Sequence, residues 1–334
     1  MRKLVFLLSI AVLAASAWTV PLPLFVLAPT PAVPVYQAPD EHAGRPAIAV
    51  EGAVDDISGR LLLTTVGVGQ ATAVEAFLAM LDPYQDVTPR QAVIPPGIDE
   101  QEFFETQRQL FEESVRVAAA VGLRAAGIEV TVDGEGAEVV GVVPGGPADG
   151  PLQPGDVVVA VGDMPVRLAA ELATRTAQTG TGEDLQLTVL RDGEEVTVTV
   201  TVGHLPGLDQ QGIGVLVRTV NQNIDFPAGI AVQDRSAIGG PSAGVMLALT
   251  VFELFDQTDL TRGRIIAGTG TVTIDGRVGP IGGIAEKVRG AVLSDAEIFI
   301  APAAQADEAR RAAPAGLTVI AVADLASAIQ ALQR

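Results

Sequence analysis

The sequence predicts a multidomain α+β chain with three parts: an apolar N-terminal helix, a β-rich middle domain and a C-terminal domain that mixes strands and helices. Three observations predict it. A long uncharged stretch follows Arg2 and Lys3. Residues 127–202 look β-rich, with strict alternation of apolar and polar residues over Ile128–Val132 and turns at Asp133-Gly134 and Asp192-Gly193. Beyond residue 208, glycine-rich turns open directly onto apolar helices. The chain has 334 residues, with 48% hydrophobic and 18% charged, so it has the material for more than one packed core and is not globally disordered.

At the N-terminus no charge appears between Lys3 and Asp40. Leu4 to Ala14 is a good apolar core for a signal, and Ala15-Ser16-Ala17 resembles a cleavage site. The apolar character continues through Trp18, Val20 and Leu22 to Leu27, about the ~20 residues that span a bilayer. Residues 1–27 are therefore expected to be a signal anchor or transmembrane segment, or a cleaved signal. Positive charge ahead of the segment places the remainder outside the cytoplasm, either on a single-pass membrane protein or as a secreted one. Residues 28–122 are expected to hold a Pro/Ala-rich linker (28–48), a strand pair or hairpin turning at Ser58-Gly59, and an amphipathic helix from about Asp99 to Val121.

Residues 123–205 read as one β-rich domain. Ile128 to Val132 alternates, Asp133-Gly134 turns, and Val139 to Val143 is a second strand. Pro144-Gly145-Gly146-Pro147-Ala148 precedes Leu152-Gln153-Pro154-Gly155-Asp156-Val157-Val158. A short helix is expected over 168–178, then a hairpin turning at Asp192-Gly193. This run resembles a PDZ domain of the bacterial protease-associated type. PDZ domains take an extended peptide as an added strand, and backbone amides hold its terminal carboxylate. The resemblance implies Gly127, Ile128 and Glu129 as the peptide-binding loop, although Ala126-Gly127-Ile128-Glu129 is not the usual Gly-Leu-Gly-Phe. A PDZ fold that only spaces or packs is the other reading.

The chemistry concentrates in residues 208–334. Lysine occurs twice in the chain, and outside the N-terminal segment Lys287 is the only one. Arginine stays protonated at any usable pH, whereas a buried lysine can surrender its proton and act as a base. Lys287 follows the glycine-rich turn Gly279-Pro280-Ile281-Gly282-Gly283 at the start of a helix. Upstream, Gly239-Gly240-Pro241-Ser242-Ala243-Gly244 places a serine at the head of the apolar helix Val245 to Phe255. A helix N-terminus offers unpaired N–H groups and a positive dipole end, suited to an oxyanion. A serine in that position also serves as a plain N-cap. Between the two motifs, Ile265 to Val278 reads as a hairpin turning at Asp275-Gly276 and containing Thr269-Gly270.

Gly-Pro-Ser-Ala-Gly, Thr-Gly and Pro-Ile-Gly-Gly-Ile-x-Glu-Lys, in that order, closely resemble the proteolytic domain of Lon proteases (peptidase family S16). With the PDZ-like run ahead of them, they resemble the YlbL-like family of PDZ–Lon proteins. The resemblance implies the ribosomal-protein-S5-domain-2-like α+β fold and a Ser-Lys dyad. Ser242 would be the nucleophile and Lys287 the general base. Thr269 would support the amine. Independently of the resemblance, the backbone N–H groups near Gly239, Gly240 and Ser242 are expected to form the oxyanion hole. The resemblance also brings the possibility of a homo-oligomeric ring. Thr271 stands where ATP-dependent Lon has glutamate.

The expected function is an ATP-independent serine endopeptidase acting on extracytoplasmic, unfolded or loosely folded polypeptides. A membrane-tethered, non-catalytic PDZ scaffold is the alternative. No Walker loop surrounds either lysine, so neither ATP nor any cofactor is expected. The chain has no cysteine and only His42 and His204, so no metal site is expected. A net charge of −19 without a basic stripe argues against nucleic acid as a partner.

Overall fold

The structure, a computed structural model, describes residues 15–36, 46–53, 57–82, 84–94, 99–206, 211–234 and 238–334. Two compact units emerge. One is continuous, Val130–Phe226; the other joins the segment ending at Glu129 to the segment beginning at Pro227. The β-rich unit is thus inserted, in sequence, into the unit that carries Ser242 and Lys287.

Residues 15–19 are helical (α1). They are followed by β1 (Pro21–Pro29), β2 (Val33–Pro34), β3 (Ile48–Glu51), β4 (Arg60–Leu63), β5 (Val66–Thr72), α2 (Ala73–Ala79), β6 (Asp86–Pro89), α3 (Arg90–Val93) and the long α4 (Glu100–Ala125). The expected apolar segment over 1–27 is corrected at its C-terminal end. Pro21 and Pro23 lack the N–H that a helix needs and hold φ in a range compatible with extension. Residues 21–29 therefore form a strand, seated between β5 and β6 with Phe25 buried. The first fourteen residues of the expected segment lie outside the described residues. No described helix is long and apolar enough to cross a membrane.

The expected linker and hairpin are corrected as well. β2 and β4 pair with one another, and Val35 and Ile48 are fully buried. β3 and β4 are strands, but they do not pair across Ser58-Gly59. Each has a partner more than 150 residues away: β3 lies on β17 (Ala231–Asp234), and β4, on its other edge from β2, lies parallel to β18 (Ile265–Gly268).

In the inserted unit come β7 (Thr131–Asp133), β8 (Ala137–Val142), β9 (Val157–Val161), β10 (Met164–Pro165), α5 (Ala169–Gln178), β11 (Asp184–Arg191), β12 (Glu194–Thr201), β13 (Gly203–His204), β14 (Gln211–Gly212), β15 (Val215–Thr219) and β16 (Asn223–Asp225). The main sheet runs β12-β11-β9-β8-β15. Val139, Val158, Leu187, Val189 and Val200 meet Leu172 of α5 in its core. The β11–β12 turn needs positive φ at Asp192 (54°) and Gly193 (85°), as a tight hairpin does. Asp156, of the Pro-Gly-Asp motif, is buried and held by Arg191 Nε and Nη2 at 2.8 and 2.7 Å. This unit extends past the expected boundary at 205, because β15 completes the sheet.

The other unit resumes with β17, α6 (Gly244–Phe255), β18, β19 (Thr271–Val272), β20 (Val278–Gly279), α7 (Ile284–Val292), β21 (Ile298–Pro302), α8 (Ala306–Ala312), β22 (Thr318–Val322) and α9 (Leu325–Leu332). The expected hairpin shortens to β19–β20, and β18 instead enters the five-stranded sheet β2-β4-β18-β21-β22. Leu62, Ala267 and Phe299 are register partners and point to one face, where Ile284, Val288, Ala291 and Ala309 cover them. Their neighbours Leu63, Gly268 and Ile300 point the other way, towards α6. There a Cβ on Gly268 would lie only 2.6 Å from Met246 Sδ. Helix α6 packs in turn on α4, where a Cβ on Gly122 would lie 2.6 Å from the Ala248 carbonyl oxygen.

Candidate active site

Helices α6 and α7 lie on opposite faces of the sheet, and both begin beside the C-terminal end of β18. Ser242 sits just ahead of α6, Lys287 in the first turns of α7, and Thr269 is the residue after β18. The turn into α7 depends on Gly283, whose φ of 67° is left-handed and strained for any residue with a Cβ. These three elements bring Lys287 Nζ to 2.7 Å from Ser242 Oγ and 3.1 Å from Thr269 Oγ1.

The hydrogen-bond order in this cluster is fixed. Thr269 Oγ1–H donates to the Ser242 carbonyl at 2.9 Å, and the Gly270 N–H donates to the same oxygen at 2.7 Å. With its proton committed, Thr269 Oγ1 offers only lone pairs to the amine. Lys287 therefore spends an N–H on Thr269, and its lone pair, when neutral, is free to face Ser242. Lys287 is 4% exposed, between the fully buried Val288 and the buried Ile284. Burial pushes its pKa down to about 8, against the opposing pull of the Glu286 carboxylate. Glu286 is itself buried, and its pKa is raised by that burial and by the nearby Asp86 and Glu308.

Gly239 and Gly240 do something other than expected. Gly240 adopts φ 83°, and its N–H donates to the Gln107 carbonyl of α4 at 2.7 Å. A Cβ on Gly239 would lie 3.0 Å from Gln107 Cβ. The pair lets the serine loop dock closely on α4, so the Gly240 amide is already committed and is not available to an oxyanion. Ser114 Oγ adds a bond to the Pro241 carbonyl at 3.3 Å.

A cleft of about 690 Å³ opens over the cluster. Ser242, Lys287, Thr271 and Gly239–Gly240 line it together with Gln107 and with Leu27, Val66 and Val68 of β1 and β5. These last contributors were missed in the sequence. They carry no motif, and they lie more than a hundred residues from the serine, across the inserted unit. Among the described residues no cluster of three or more His, Asp or Glu could hold a metal ion.

The loop expected to bind peptide is also corrected. Gly127 (φ 79°) is the left-handed residue that ends α4; its N–H donates to the Arg124 carbonyl, and the Ile128 N–H to that of Leu123. These two amides are helix caps, and Gly127–Glu129 lie outside the β-rich unit. Within that unit the end strand of the sheet is β15, preceded by Gly212-Ile213-Gly214, with Gly214 at φ 76° and Ile213 buried in the core. Helix α5 runs alongside: the Ala169 N–H donates to Thr219 Oγ1 at 3.0 Å.

Comparison with known proteins finds the same two domains in the same order, but with other bounds than the compact units: the first match begins ahead of Val130, and the second takes in β15 and β16. Residues 125–202 match the PDZ domain family, and residues 212–332 match the Lon protease (S16) C-terminal proteolytic domain. A probable periplasmic serine endoprotease DegP-like of Pseudomonas savastanoi pv. phaseolicola is 32% identical over 127 residues, 32% of this chain and 26% of that protein. The Lon protease of Aquifex aeolicus is 36% identical over 95 residues, 28% of this chain and 11% of that protein. The chain thus spans about a quarter or less of the length of these relatives. The PDZ domain of an SdrC-like protein from Listeria monocytogenes aligns in structure with 16% identity and a TM-score of 0.23, covering 25% of this chain and 87% of that one.

Proposed function

We propose that this chain, which carries a PDZ domain followed by the S16 proteolytic domain of Lon proteases, is an ATP-independent serine endopeptidase with a Ser242–Lys287 dyad. The observation that carries the reading is the 2.7 Å contact between Lys287 Nζ and Ser242 Oγ, made by an amine whose burial brings its pKa to about 8. Neutral Lys287 takes the Ser242 proton as Oγ attacks the peptide carbonyl, giving a tetrahedral adduct. The ammonium then returns that proton to the leaving amine, and an acyl-enzyme remains. Water attacks the ester, again losing a proton to Lys287, and Ser242 is regenerated. The N–H groups of Ser242 and Ala243, at the head of α6, take the oxyanion role in this reading.

Substrates are extended, unfolded polypeptides. In the sheet β5-β1-β6, β5 has one edge unpaired among the described residues, and its Val66–Val68 stretch lines the cleft. A substrate backbone laid along that edge would pass Ser242. The PDZ domain captures a C-terminal peptide as a strand added to β15, beside α5, with its carboxylate at Gly212–Val215. The N-terminal apolar segment tethers the chain to a membrane with both domains on the extracytoplasmic side.

The test is cleavage of an unfolded casein-like substrate by the full chain in detergent, without ATP, beside Ser242→Ala and Lys287→Ala. Cleavage by the wild type alone is the expected result. Cleavage that survives both substitutions would overturn the dyad.

A further inference from the structure

Helix α2 is built inside out. It packs on the protein through small residues, Ala76 and Ala79, and turns its large apolar side chains outward. Phe77 is 61% exposed, Leu78 55%, and Met80 and Leu81, in the turn that follows, 67% each. A surface helix of a water-facing protein has the reverse pattern, and a contiguous exposed apolar patch marks a surface that meets something apolar. The charged side chains on this segment are Glu75, engaged in the α2 capping box, and Asp82, which holds Gln85 and the Tyr84 N–H. It carries no lysine or arginine, so its contact is apolar rather than electrostatic.

The position of the patch identifies the occupant. Thr72, the N-cap of α2, is the register partner of Pro21 at the start of β1. The chain therefore enters its first sheet at the same corner from which α2 departs. Just upstream stand Trp18 and Val20, 66% and 52% exposed, and before them the apolar run Leu4–Ala14 behind Arg2 and Lys3. A segment that leaves this corner into a bilayer brings α2 to the bilayer surface with it, and an exposed tryptophan at the junction suits the headgroup layer.

We propose that α2 and the turn after it lie in the interfacial layer of the membrane, as a second apolar contact beside the N-terminal segment. This rests on the tethering reading above and deepens it. Strand β5 runs from the cleft at Val66–Val68 to Thr72, roughly 20 Å at the rise of a strand. The cleft then faces the zone just outside the bilayer, and the substrates are loose chain segments next to the membrane.

Trp18 is the chain's only tryptophan, which makes the test direct. The full chain is reconstituted into phosphatidylcholine vesicles with or without brominated acyl chains. Wild type reports on Trp18, and Trp18→Phe/Phe77→Trp reports on α2, with Trp18→Phe/Met80→Trp as a second probe. We expect at least twofold quenching by brominated lipid at position 18 and at both α2 positions. Quenching at 18 with none at 77 and 80 overturns the α2 contact and leaves the tether standing. No quenching at any position overturns the tether and the α2 contact together. Concentration-dependent burial of positions 77 and 80 without lipid quenching assigns the patch to a second copy of the chain and also overturns the proposal.

Discussion

Thr269 and Lys287 form a one-way hydrogen bond: because Thr269 gives its proton to the Ser242 carbonyl, its oxygen can only accept from the Lys287 amine. When neutral, the amine can thereby face Ser242 with its lone pair, and Thr269 ties the shape of the serine loop to the direction of the amine.

Replacing Thr269 by Val keeps the shape and removes the acceptor. We expect kcat to fall about 10- to 100-fold with KM nearly unchanged, since the hydroxyl orients the base rather than binding substrate. Thr269→Ser should recover most of the activity. Steady-state kinetics on a fluorogenic peptide would check both.

The pH profile follows from Lys287. Its neutral form is the base, so kcat/KM should rise with pH through a midpoint near 8, where burial has brought the amine. The Glu286 carboxylate works in the opposite direction by favouring the ammonium. Glu286→Gln should therefore move the midpoint to lower pH and raise the relative activity at pH 7. A midpoint unchanged or moved upward would contradict this reading. Lys287→Arg should be inactive at every pH, because a guanidinium stays charged.

Glu253, on α6, should govern stability. It is 2% exposed, its Oε1 accepts from the Thr261 N–H and Oγ1, and its Oε2 has no partner among the described residues. Burial raises its pKa from 4.5 to about 7. A carboxyl with a raised folded pKa gives its full contribution below the unfolded value, near 4.5, and loses it as pH rises through 7. Glu253→Gln should then be more stable than wild type at pH 8 by on the order of 2 kcal/mol, with the difference vanishing by about pH 4. Thermal melts at the two pH values read this directly.

Peptide binding separates the two possible PDZ loops. Gly214 lies at φ 76°, so Gly214→Val strains the loop ahead of β15 and should abolish binding of C-terminal peptides in a fluorescence anisotropy assay. Glu129→Ala should leave that binding intact. The converse result would return the site to residues 127–129.

Much of this site was legible in the sequence because its parts are local. Ser242 and Lys287 each sit beside glycines that let the backbone turn sharply into a helix, and such turns leave a short, readable pattern. The solitary lysine outside the N-terminal segment pointed to the proposed base, and Asp192-Gly193 located the β11–β12 hairpin, whereas the strands on either side of Asp133-Gly134 pair with β16, β15 and β9 rather than with each other. Helices α4, α5, α6 and α7 followed from periodicity and their flanking glycines, since helix hydrogen bonds close within a few residues.

Strand partners are another matter, because a strand's hydrogen bonds can be made with any segment that the chain brings alongside. Ile48–Glu51 and Arg60–Leu63 showed themselves as strands, yet only the folded chain decided that they pair with residues 231–234 and 265–268 rather than with each other. The same holds for β15, which completes the PDZ sheet from beyond its expected end, and for Leu27, Val66 and Val68 of the cleft. The sequence by itself determined the residues of the proposed chemistry: the side chains assigned as nucleophile and base, and the turns that carry them. The tertiary structure decided that segments on both sides of an inserted domain build one unit around that pair. It did so because burial and strand pairing are satisfied by proximity in space, to which separation along the chain is indifferent.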